Sequence, residues 1–117
     1  MRYVCFVHVS EAVLDALPVA EMQKLVRDSS AYDEELTASG NMVVAHALHP
    51  TAEALYLRSR GGKVISVDGP YAETKEQLMG FILVEAESLE RAREIAGRIP
   101  CAAYGSIELR AVAPDDA

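Results

Sequence analysis

Tyr3-Val4-Cys5-Phe6-Val7-His8-Val9 decides the fold. The run is β-branched and aromatic and almost continuous in hydrophobicity, which predicts a central strand buried on both faces. Residues 81–86, Phe-Ile-Leu-Val-Glu-Ala, repeat the pattern late in the chain. Two such strands need a sheet with cover on both sides, and the segments around them show what supplies one of those covers.

Pro18 suits the first turn of a helix. From there Val19, Met22, Leu25, Val26, Ser29, Tyr32 and Leu36 recur at three- and four-residue spacing, giving an amphipathic helix to about Ser39 with Gly40 as its stop. Ser88 caps a second helix whose apolar face is Leu89, Ala92, Ile95, Ala96 and Ile99, ended by Pro100. Residues 10–16 read as a connection, and residues 42–48 as a strand closed by His49-Pro50. Residues 54–60 and 63–67 meet across Gly61-Gly62, a two-residue hairpin with primed-turn chemistry. Ile107, Leu109 and Ala111 alternate with Glu108 and Arg110 in a last, half-buried strand, and residues 114–117 form a frayed tail.

The order β-α-β-(hairpin)-β-α-β gives an α+β class with a ferredoxin-like split βαβ plan: an antiparallel sheet, two helices on one face, and the hairpin as an insertion. Residues 1–113 make one domain. The second face of the sheet is too apolar for water, which predicts a homodimer in which another copy covers it.

Composition narrows the function. The 117 residues carry a formal net charge of −7, which argues against nucleic acid or an anionic membrane as partner because both need clustered Lys and Arg. No apolar run approaches the ~20 residues of a membrane span, and the N-terminus enters a strand with no signal-peptide architecture, so a cytoplasmic location is expected. Cys5 and Cys101 are isolated and lack metal-ligand spacing; Cys5 reads as a small buried hydrophobe. Neither a phosphate loop nor a dinucleotide fingerprint occurs, so no cofactor and no metal are expected.

The densest polar chemistry lies in Val67-Asp68-Gly69-Pro70-Tyr71-Ala72-Glu73-Thr74-Lys75-Glu76-Gln77-Leu78-Met79-Gly80-Phe81. Asp68 closes a strand pattern, Gly69 permits a positive φ, and Pro70 makes Asp-Gly-Pro a rigid turn. Thr74 with Gln77 is a capping-box spacing and predicts one helical turn before Gly80. Asp68 is either the acceptor for its own turn or a base, with His46 or His8 as a proton-carrying partner. Tyr71, Glu73 and Lys75 are candidate ligand contacts, and Arg58, on the polar face of the hairpin, is a candidate for holding an anionic group.

Residues 68–76 resemble the signature Asp-Gly-Pro-aromatic-x-Glu-Thr-Lys-Glu of the DGPF family, a branch of the YCII-related superfamily, with Tyr71 replacing the usual Phe. The resemblance implies a dimeric α+β barrel. Related barrels host cofactor-free chemistry, which suggests a small-molecule-binding homodimer of lyase or isomerase type. DGPF genes often accompany extracytoplasmic-function sigma factors, so the alternative is a regulatory module with a transcription-linked partner. Many members of the wider superfamily pair a His on the first helix with an Asp near its end. The first helix here has no His, so that dyad does not carry over.

Overall fold

The computed structural model describes residues 1–69 and 75–114. Its strands are β1 (Arg2–Val9), β2 (Met42–Ala47), β3 (Leu55–Arg60), β4 (Lys63–Asp68), β5 (Gln77–Glu85) and β6 (Ser106–Ala111); its helices are α1 (Glu11–Asp15), α2 (Val19–Ala38) and α3 (Leu89–Gly97). Four strands form an antiparallel sheet in the order β2-β5-β1-β6, and β3 and β4 pair separately. This is the expected α+β, ferredoxin-like arrangement with the hairpin set apart from the main sheet.

One face of the sheet makes the core. Tyr3, Cys5, Val7 and Val9 of β1 and Ile82 and Val84 of β5 are buried against Tyr32 and Leu36 of α2 and Ala92, Ile95 and Ala96 of α3. The Tyr32 hydroxyl donates to the Ile95 carbonyl at 2.8 Å, tying the two helices together, and the Arg98 guanidinium lies 5.0 Å from the Tyr32 ring centre. Ser88 accepts from the Arg91 amide, so α3 has the side-chain cap its sequence predicts.

Alternation on β1 divides its residues between the two faces of the sheet. Val4, Phe6 and His8 point away from the helices and are only half-buried. They share this open face with Leu78, Phe81 and Leu83 of β5, their register partners, and with Val44 and His46 of β2.

Three local expectations change. Residues 11–15 form α1, capped by the Ser10 hydroxyl, where a connection was expected. Gln77 to Gly80 belong to β5, so the helical turn before Gly80 does not form: pairing with β1 and β2 outweighs a local capping pattern. Gly69 does not adopt positive φ, unlike Gly40, Gly61 and Gly62. Its reason for being glycine is proximity. A Cβ there would lie 2.8 Å from the Ala54 carbonyl oxygen and 2.9 Å from the Tyr56 ring, while its amide donates to that same carbonyl at 2.6 Å. Gly69→Ala is therefore expected to cost about 1–3 kcal/mol, read as a lower urea midpoint; an unchanged midpoint would mean that the hairpin base gives way freely.

Candidate functional site

α2 crosses the sheet with Leu25, Tyr32 and Leu36 buried. Ser29, four residues after Leu25, interrupts that stripe, and Asp33 follows four residues later. The interruption faces a cavity of about 420 Å³ between α2, the β2–β5 side of the sheet and the Pro100–Ala103 turn. Its lining is mostly apolar, with Leu14, Leu25, Ala45, Met79, Ile82 and Ile99 among the contributors. Ser29, Ser30, Asp33 and Cys101 are the polar residues that α2 and the turn bring to it. Size and composition match those of small-molecule sites, apolar bodies with a few convergent polar groups.

Burial raises the Asp33 carboxyl above its ordinary range, with no neighbouring charge contributing. A perturbed carboxyl in a cleft is the kind of group that acid–base sites use. Burial likewise raises the Cys101 thiol, and it pushes Cys5 up to about 11, so both cysteines are held as thiols rather than as reactive thiolates. The His46 ring packs edge-to-face on Phe81, with ring centres 5.9 Å apart, on the open face of the sheet; His46 therefore borders the cavity from β2 with its ring on the opposite side.

The residues singled out from the sequence are dispersed. His8 lies on the open face with its Nε2 2.9 Å from Glu108 Oε1 on β6. Register sets His46 opposite Phe81 and Phe81 opposite Phe6, two residues short of His8; that places the two histidines roughly 12 Å apart, too far to share one carboxylate. Asp68 ends β4 in the separate hairpin, and its carboxylate makes no hydrogen bond with any described residue. Within one copy, then, His8 pairs with Glu108 on the open face, while Asp33 borders the cavity on the helix side of the sheet. Arg58 lies on β3 of the hairpin, and Lys75 is exposed just before β5. Tyr71, Glu73 and Thr74 lie outside the described residues.

The near side of the signature run is well tied. Ser106 donates to Glu76 at 2.6 Å. The Gln77 side chain accepts from the Glu11 amide at 2.7 Å, and the Glu11 carboxylate accepts from both the amide and the hydroxyl of Thr51. These bonds join α1, the single turn Thr51–Glu53 and the start of β5, which is an architectural role for that corner. Among the described residues no group of His, Cys, Asp and Glu is arranged to hold a metal ion, and no helix is long and apolar enough to cross a membrane.

Sequence reasoning passed over Asp33. The available signal was a break in the α2 stripe, where Ser29 and Asp33 stand at helical spacing from Leu25 without a core role.

Residues 1–115 match the YCII-related domain. A protein of Rhizobium meliloti (strain 1021), described as uncharacterized, is 36% identical over 115 residues, covering 97% of this chain and 93% of that protein.

Proposed function

The chain belongs to the YCII-related family, and we propose that it is a small-molecule-binding homodimer that carries out cofactor-free proton transfer, of lyase or isomerase type. In this reading residues 68–76 place it in the DGPF branch. The observation that carries the chemistry is Asp33 bordering an apolar cavity with its carboxyl raised by burial. A carboxylate out of bulk water holds a proton more tightly and is a stronger base toward an acidic C–H or hydroxyl. The lining selects a compact, mostly apolar molecule with one carbonyl or hydroxyl group. Dimerisation is supported by the half-exposed Phe6, Phe81 and Leu83 on the open face, which a second copy would cover.

The test pairs binding with exchange. Across a panel of small aromatic and carbonyl compounds, ligand-observed NMR should find binders for both the parent and Asp33→Asn. Solvent deuterium incorporation into those binders should drop by 10²-fold or more in the variant. Undiminished exchange in Asp33→Asn rules out this base, and a panel without binders counts against the ligand reading.

A pH dependence follows from the same shift. Because the folded-state value is raised, the favourable contribution of Asp33 is complete below its unfolded value and is lost as pH rises through the folded one. Asp33→Asn removes that penalty. Its thermal midpoint should equal or exceed the parent's at neutral pH, and the two should converge near pH 3.

A further inference from the structure

Among the described residues the hairpin packs mainly on itself. Beyond their mutual ladder, neither β3 nor β4 makes an extensive contact with any other described element, and an isolated two-stranded hairpin is marginal in water. Its apolar residues are nonetheless exposed. Leu55, Leu57 and Val64, on one face by register, are 62, 63 and 72% exposed, and Ile65 and Val67 on the other are each 47% exposed. The molecule is correspondingly spread out, 47 × 46 × 19 Å with a radius of gyration of 16.3 Å, against about 13 Å for a compact chain of this length.

Charge indicates what the hairpin meets. Leu55–Asp68 holds three cations, Arg58, Arg60 and Lys63, against one carboxylate, a net +2, which leaves −9 for the rest of a chain whose total is −7. Arg60 and Lys63 flank the Gly61-Gly62 turn, so the tip is basic. We infer that β3–β4 is an exchanged arm. In the homodimer proposed above, on which this inference rests, the Leu55/Leu57/Val64 face of each hairpin lies on the second copy, and its basic tip reaches that copy's acidic surface. Reciprocal exchange closes under two-fold symmetry and leaves neither arm exposed. The fourteen residues of the hairpin, joined to the open sheet face, approach the roughly 20–30 residues a side of a standard interface.

Sedimentation of the full chain tests this, with Leu57→Asp/Val64→Asp and Arg60→Glu/Lys63→Glu as variants and hydrogen exchange of the hairpin amides as a second readout. The substitutions fall on exposed positions, so circular dichroism should stay unchanged. The parent should be a dimer whose dissociation constant rises with salt. The apolar variant should raise that constant at least tenfold and the charge variant should raise it too, while hairpin amides protected in the dimer become fast on dilution. A parent dimer matched in affinity by both variants, with hairpin amides equally fast in dimer and monomer, overturns the arm and leaves the dimer reading standing. A parent that stays monomeric at high concentration overturns the dimer reading and the arm together.

Discussion

Gly105→Ala should lower stability by about 3 kcal/mol or more, at the upper end of what overpacking costs because the obstacle is backbone. Gly105 follows the Pro100–Ala103 turn, where its amide donates to the Cys101 carbonyl at 3.0 Å, and it precedes Ser106, which pairs with His8. A Cβ there would fall on the His8 carbonyl oxygen and sit 3.0 Å from the Val9 Cα. Neither atom belongs to a side chain that can rotate away, so β6 must shift from β1 or the turn must deform. The φ at Gly105 is not positive, so the whole effect is steric. Gly97→Ala is the control: nothing lies within 4 Å of its Cβ position at the end of α3, and alanine there should gain up to about 1 kcal/mol. In urea melts the two changes should move the midpoint in opposite directions. A Gly105→Ala protein as stable as its parent would show that β6 is free to slide.

Elements with a strong local pattern were legible in the sequence. The α2 stripe, the Ser88 cap, and the Gly61-Gly62 turn with φ of +57° and +78° follow from side-chain spacing and backbone sterics alone. Gly40 at φ +82° ends α2 as its position predicts. What was not legible depends on tertiary partners. Thr74-to-Gln77 is a valid capping spacing, yet Gln77 pairs with Val9 because a sheet edge was available to it. Gly69 is glycine because Ala54 and Tyr56 lie against it, and no local rule reveals that. The candidate site depends on tertiary partners in the same way. Asp68 drew notice because it opens a dense polar run, whereas Asp33 borders a cavity that no local pattern reveals. Acidic residues on a helix are common, and only the neighbouring elements β2 and β5 and the Pro100–Ala103 turn distinguish this one.

Ile95→Ala should remove about 2–5 kcal/mol, a large share of the 5–15 kcal/mol that holds a domain of this kind together. Ile95 is fully buried on the inner face of α3 and belongs to the cluster that joins α2 and α3 to β1 and β5. The loss combines transfer of the deleted carbons with the void they leave. How far the void closes sets the value within that range. Tyr32→Phe separates packing from hydrogen bonding at the same point. It deletes the bond from the Tyr32 hydroxyl to the Ile95 carbonyl, but that carbonyl still accepts from the Arg98 amide at 3.2 Å, so no buried acceptor is orphaned. Its cost should stay near 1 kcal/mol. Because Ile95 faces the helix side, its penalty should not depend on protein concentration, whereas Phe6→Asp on the open face should destabilise most where the parent is dimeric. Equal costs for Ile95→Ala and Tyr32→Phe would mean that the two helices are held by their hydrogen bond more than by the core. A concentration-dependent Ile95→Ala penalty would mean that the helix layer itself takes part in association.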